Sequence, residues 1–584
     1  MKMSANQQLG LRVPARVRRH HPRPDGRVDD ICHEDASFRI FPFPILRFNV
    51  RGMKGKFGII DLFSGPGGLG EGFCAYREEG LRPFEIDVSV EKDPVAHSTL
   101  RLRAFLRQFD DEFPTEYIDF LNEGGEEPDW ADLYPREWAL AEQETLNLTL
   151  GEAETTAVLD KRIAEIRKRR GDRIILIGGP PCQAYSLAGR GRKPSELGYV
   201  AHDENRHLLY QEYINVLRKL RPAAFVMENV KGMLSSSIEK RKVFDLVTED
   251  LQSGGGAAEY ALFPLSGNTD LHGHAQPKDF VVAAEDHGVP QARHRVIIVG
   301  VRRDLISDVD GFEPPKLAGV ARRTTVRDVL SEMPPLRSGI SARGGHVDDV
   351  MNWKRTVALG ASKIAAMSHG LQGEAAGNFD KALGTVDRSK KITVEKRKGT
   401  TGGTLLPETC PEDLRTWLED DRLDSLSLHE TRGHMVGDLE RYLFASSWAT
   451  ATGASPKAKD FPDELAPRHD NWKSGKFNDR FRVQPWDLPS STVTCHLSKD
   501  GHYFIHPDPA QCRSMTVREA ARLQTFPDNY HFKGNRTQQY VQVGNAVPPF
   551  LAWKIATALH PVLAKLVHAP AKLVREAGKV KIPA

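Results

Sequence analysis

Apolar runs without a polar face recur along the first part of the chain, and they predict strands at residues 57–63, 86–90, 174–177, 223–227 and 296–301. A glycine-rich turn at 64–72 opens a helix after the first strand, and helical spacing of apolar residues predicts another helix at 208–220. Strands of this kind are covered on both faces, so the alternation predicts a parallel sheet between layers of helices. Residues 101–172 exceed an ordinary crossover; an acidic loop near 123–132 and an amphipathic helix at 157–169 mark them as an insertion. From 304 to 510 the alternation stops, glycine and proline are frequent, and basic clusters such as Lys390-Lys391 and Lys396-Arg397-Lys398 appear. That stretch reads as a second domain of different architecture or a poorly structured insert, and its clusters alone as solvated surface. Order returns after 514, with a helix at 517–524, a strand-and-turn element at 542–549 and an amphipathic helix at 550–567.

Length and composition narrow the class. A chain of 584 residues predicts two or three compact units. Lys+Arg 81 against Asp+Glu 78 leaves a net charge of +3, so affinity for nucleic acid has to come from local patches. No tract reads as a membrane span. Cys32, Cys74, Cys182, Cys410, Cys495 and Cys512 are scattered without a C-x-x-C pair, which argues for reduced thiols in a cytosol and against a structural zinc. Residues 1–52 stand apart: Arg12, Arg16, Arg18, Arg19 and Arg23 lie among His20, His21 and prolines with no apolar period. A basic arm, an Arg-rich transit peptide and sequence upstream of a start at Met53 compete there, and the last is favoured because Met53 directly precedes the first strand.

The chemistry concentrates at strand ends. Gly178-Gly179-Pro180-Pro181-Cys182-Gln183 delivers a thiol off an apolar strand through two prolines, which makes a rigid turn suited to a nucleophile; a buried structural cysteine is the alternative. Gly65-Pro66-Gly67-Gly68-Leu69-Gly70 matches G-x-G-x-x-G between a strand and a helix, and Glu91 ends the next strand where a ribose-binding carboxylate belongs. Taken alone, the turn suggests a nucleotide-like cofactor and a nicotinamide dehydrogenase as the default. Phe63, just before the glycines, adds an aromatic that can stack on a purine or shield a sulfonium.

Together these motifs resemble the cytosine-5 DNA methyltransferases. Phe63-Ser64-Gly65-Pro66-Gly67-Gly68 resembles that family's S-adenosylmethionine turn, Pro180-Pro181-Cys182-Gln183 its nucleophile, and Glu228-Asn229-Val230 its Glu-Asn-Val motif. Gln291-Ala292-Arg293-His294-Arg295 resembles Gln-x-Arg-x-Arg, and Gly544-Asn545-Ala546-Val547-Pro548-Pro549 the closing motif, all in family order. The resemblance implies an α/β fold, a Rossmann-like S-adenosylmethionine-dependent methyltransferase sheet with a separate target-recognition domain. The expected division is a basic extension at 1–52, a catalytic domain at 53–303 with its insertion, target recognition at 304–510 and a return to the catalytic domain at 511–584.

Catalytic roles are implied for Cys182, which adds to C6 of cytosine, for Glu228 at N3 with a carboxyl raised by its site, and for Arg295 with Arg293 at the ring. Cofactor contacts are implied for Phe63, Gly65, Gly67, Gly68, Glu91, Pro180, Asn545 and Ala546, and no metal is expected. A base inside a duplex must be flipped to be reached. The loop after Cys182 offers Ser186, Arg190 and Arg192 to DNA phosphates. The expected partner is duplex DNA, with no membrane, a restriction or defence partner as an option, and a monomer as the working state. The family's adenine-binding acid is not evident; Asp119 is the candidate, and Lys92 stands where an aromatic is often found. An RNA cytosine methyltransferase and a non-catalytic DNA-binding regulator of the same fold stay open as rivals.

Overall fold

The computed structural model describes residues 55–181 and 206–568, apart from 111, 239, 268–274, 308, 310, 344, 387, 389–391, 400, 468–471 and 473–477. Its centre is an eight-stranded sheet. Strands β1 (Phe57–Leu62), β2 (Phe84–Val90), β3 (Thr145–Leu146), β4 (Ile174–Gly178) and β5 (Ala224–Val230) run parallel in the order β3-β2-β1-β4-β5. His294–Arg302 then pairs antiparallel with β5, and Tyr260–Phe263 and Val281–Ala283 pair with its other edge. That reversed strand departs from the six-stranded order of dinucleotide-binding folds.

Strand β1 is buried along its whole length, and its side chains divide between two cores. Phe57 and Ile59 join Phe73, Phe550, Ile555 and Leu559 on one face, while Ile60 and Leu62 join Ile163, Tyr213, Leu217 and Val247 on the other. The five strands predicted at 57–63, 86–90, 174–177, 223–227 and 296–301 are present with their ends moved by a few residues. Within residues 101–172, Thr145–Leu146 forms the edge strand and the Ala153–Arg170 helix covers the sheet, so the material beyond an ordinary crossover is concentrated in 107–144.

Residues 304–510 contain helices Val350–Ala365, Gly373–Leu383 and Val436–Thr452, packed around Trp353, Val357, Phe379, Tyr442 and Phe444. Other parts of the same stretch, among them Val326, Leu330, Leu414 and Leu418, pack into the core beneath the sheet.

Two expectations need correction. Residues 542–549 are not a strand and turn: Asn535 caps a helix over Arg536–Asn545, with Gln538 completing a capping box, and Pro548-Pro549 opens the next helix. Gly544 lies in the last turn of the first helix because a Cβ there would sit 2.3 Å from the backbone nitrogen of Cys495. The stretch Arg536–Val567 is also long and apolar enough to cross a membrane by length and composition alone. It is broken at Ala546–Pro548, and its apolar residues Phe550, Leu551, Ile555, Leu559 and Leu563 are buried in the core, as in a soluble protein's central helix.

Between the middle segment and this C-terminal pair lies the Val517–Leu523 helix, whose arginines Arg518 and Arg522 are fully buried, as is Arg513 before it. Pairing makes this tolerable: Arg513 meets Glu519 at 2.6 Å and Arg522 meets Asp528 at 2.7 Å.

Candidate active site

The carboxyl ends of β1, β2, β4 and β5 and the amino end of the reversed strand meet at one edge of the sheet, where ligands bind in open α/β folds. Leu62 pairs with Gly178, Gly178 with Met227, and Val230 with Arg295, so the motifs that follow or contain these residues are neighbours.

At the end of β1 the chain turns sharply. Phe63 takes φ +57, a conformation an aromatic adopts only when its surroundings impose it. Ser64 donates from its backbone to Val90 O at 3.1 Å and from its hydroxyl to Asp61 O at 2.9 Å; Gly67 N–H closes the turn on Ser64 O at 3.0 Å. The predicted glycines divide by role. A Cβ on Gly65 would meet nothing within 4 Å, which leaves room for a ligand. On Gly68 it would lie 2.4 Å from Val547 O, so Gly68 exists for packing against the closing motif.

Glu91 follows β2 and accepts the N–H groups of Gly65 and Asp93, each at 2.8 Å, which ties the turn to the next strand. Burial pushes its carboxyl upward. Beside it, at the end of β3, Asn147 donates to the carbonyls of Glu91 and Lys92 at 2.8 and 3.0 Å, leaving its amide oxygen without a partner in these bonds. The sequence reading missed Asn147 because β3 is two residues long and carries no periodic signal. Asp119, the sequence candidate for an adenine acid, is exposed on the Thr115–Glu123 helix.

Across the sheet, Glu228 and Arg295 form an ion pair, Nε to Oε1 3.0 Å, both side chains largely buried. A Cβ on Gly179 would lie 3.1 Å from Glu228 Oε2, which places the Pro-Pro turn against that carboxylate. Asn229 secures the contact by donating to Pro180 O at 3.1 Å. Arg293 is not with them: it is buried and donates to Val493 O at 3.0 Å and Gly544 O at 3.4 Å, and burial with the nearby Arg295 lowers it to about 9. Gln291 also points inward, to Leu523 O and Gln524 Oε1, while Gln524 bonds Ala546 O. Gln291, the first residue of the Gln-x-Arg-x-Arg segment, and Gln524, which sequence reasoning did not single out, join that segment to the closing motif. Asn545 is exposed at the end of its helix and Ala546 is buried. Cys182, Ser186, Arg190 and Arg192 lie outside the described residues, as do Lys390 and Lys391.

A sheet with one reversed strand, a glycine turn tied to an acidic strand end, and an acid–arginine pair beside a Pro-Pro turn define a methyltransferase of the cytosine-modifying kind. The model of the C-5 cytosine-specific DNA methylases matches residues 135–560, and the chain belongs to that family: it is a DNA (cytosine-5) methyltransferase. It is 34% identical over 522 residues to the Type II methyltransferase M.Bpa9945I of Bacillus paralicheniformis, covering 86% of this chain and 99% of that one. The Type II methyltransferase M.AgeI of Thalassovita gelatinovora is 27% identical over 403 residues, 66% of this chain and 82% of its own.

Proposed function

We propose that the enzyme binds S-adenosylmethionine across Phe63, Gly65, Glu91 and Asn545 and methylates C5 of a cytosine flipped out of duplex DNA. The open cradle at Gly65, beside the carboxylate of Glu91, fits such a cofactor, which supplies an electrophilic methyl group when bound. Cys182 is assigned the thiolate that adds to C6, shifting electron density to C5. Glu228 is assigned the proton-sharing contact to N3, and Arg295 holds Glu228 and the ring in register. Loss of the C5 proton and departure of the Cys182 thiolate then restore the aromatic ring. Arg293 is assigned the job of fixing the strand that carries Arg295. Asn147, through its amide oxygen, is the candidate to accept from the adenine amino group in place of an acid.

The observation that carries this reading is the Glu228–Arg295 pair at 3.0 Å against the turn that leads to Cys182. Residues 304–510 are assigned to target recognition, since base-edge contacts set sequence preference. The relatives' Type II names favour a bacterial cytosolic modification enzyme, acting as a monomer beside a restriction partner. Incubating DNA with methyl-labelled cofactor tests the proposal: label on cytosine C5 is expected, abolished by Cys182→Ser with cofactor binding retained. No transfer to any duplex DNA by the folded protein, or preferred transfer to structured RNA, refutes it.

A further inference from the structure

Residues 107–144 add the helices Thr115–Glu123, Trp130–Leu133 and Pro135–Glu144, none of which contributes to the sheet, and their side chains converge on groups beside the glycine turn. Arg103, on the Pro94–Leu106 helix, lies between two rings, 5.3 Å from Phe113 and 4.3 Å from Tyr530. It pairs with Glu71 of the Gly68–Ala75 helix and donates to Asn529 O at 3.3 Å; Tyr117 donates to that same carbonyl at 2.6 Å. A second line runs from Glu144 to Arg107, whose guanidinium reaches Glu71 at 3.6 Å. Burial alone would raise the Glu71 carboxyl, but the two arginines hold it below its usual value, so it stays charged and anchored. The second line joins the first at Glu71, and the first ends at the turn, because fully buried Tyr530, under Arg103, donates its hydroxyl to the carbonyl of Pro66.

That carbonyl matters because the next residue is Gly67, at φ +102. Glycine accepts either sign of φ at similar cost, so the Pro66–Gly67 peptide has two accessible orientations. The Tyr530 hydroxyl on the Pro66 carbonyl, together with the Gly67 N–H bond to Ser64 O, selects one of them.

We infer that residues 107–144 are a buttress which, through Phe113, Tyr117 and Glu144, holds Arg103 and Tyr530 and thereby presets the Pro66–Gly67 peptide for cofactor binding. Tyr117 and Tyr530 are positioning residues. The inference rests on the cofactor reading proposed above.

Tyr530→Phe removes only the hydroxyl and keeps the ring on Arg103. One lost neutral hydrogen bond corresponds to about a fivefold weakening of a binding step that depends on it. Calorimetric titration with S-adenosylmethionine should show that loss, and KM for the cofactor should rise with it. The value of kcat at saturating cofactor and KM for DNA should stay near wild type, a split that general loosening of the fold does not produce. Tyr117→Phe should weaken cofactor binding less, and combining the two should add little to Tyr530→Phe alone. Phe113→Leu, which leaves every contact of the turn in place, should give a smaller loss of the same kind and serves if Tyr530→Phe does not fold. Unchanged cofactor affinity in these variants, or full additivity of the two tyrosine changes, overturns the buttress. A wild-type protein that binds no S-adenosylmethionine overturns instead the cofactor reading.

Discussion

Acidification should destabilise this protein above the usual carboxylate range, and its buried histidines, four of them clustered, set the sign of the effect. His429, His434, His502 and His506 are buried where the middle segment meets residues 502–516. His429 places Nε2 2.9 Å from Pro334 O and Nδ1 3.0 Å from Thr516 Oγ1, an arrangement that suits a neutral ring protonated on Nε2. Burial pushes it down to about 4. His434 and His502, which share the Tyr442 hydroxyl, are also depressed by burial. His506, 3.6 Å from Glu519, is depressed by burial and by Arg513. A folded value below the unfolded one means the stabilisation is whole above the unfolded pKa of about 6.5 and is lost as pH falls toward the folded value. For His429 alone, going from pH 7.5 to 5 removes about 2 kcal/mol. Asp61 acts in the opposite sense: burial raises it to about 8, so its bound proton stabilises more as pH falls and returns about 3 kcal/mol over the same interval. His97 and His531, also lowered by burial, act with the four histidines, while Glu91 and Glu144, raised by burial, act with Asp61; the more numerous histidines give the net effect the sign of a loss. Urea unfolding followed by tryptophan fluorescence between pH 7.5 and 5 measures it, and Asp61→Asn should steepen the decline. A midpoint that stays level or rises on acidification refutes the reasoning.

Gly68→Ala should cost about 1–3 kcal/mol of stability and weaken cofactor binding, because its Cβ would press on Val547 O at 2.4 Å, whereas Gly377→Ala, with nothing within 4 Å, should be neutral or stabilising; thermal unfolding compares them. Glu519→Gln strands the buried guanidinium of Arg513 and should cost about 3–5 kcal/mol by urea titration. The same change at Glu412, exposed in its pair with Arg415, should stay within about 0.5 kcal/mol. Arg295→Lys removes the Nε contact to Glu228 and should lower kcat about 10- to 100-fold with cofactor affinity unchanged, as read by steady-state methylation.

The sheet was legible because its strands are buried on both faces, so that Ile174-Ile175-Leu176-Ile177 has no solvent-facing position to blur it. The helices at 350–365, 373–383 and 436–452 were not, because a helix such as Gly373–Leu383 buries only Phe379, Ala382 and Leu383 and reads as polar sequence with glycines. Charge is no guide to exposure there: Arg513, Arg518 and Arg522 are each buried, held by Glu519, by Asp528 and by backbone carbonyls such as Pro527 O and Tyr530 O that come from elsewhere in the fold. In the site, strand-end residues could be placed from their motifs, since register alone brings Gly178, Met227 and Val230 level with Leu62 and Arg295. The split within Gln-x-Arg-x-Arg could not. Arg293 and Arg295 share a face by period, but Arg293 precedes the strand and turns into the Val493 and Gly544 carbonyls, leaving Arg295 alone on Glu228. The motif therefore combines two jobs that its letters do not distinguish: one arginine fastens the strand to the chain's returning end, and the other pairs with Glu228.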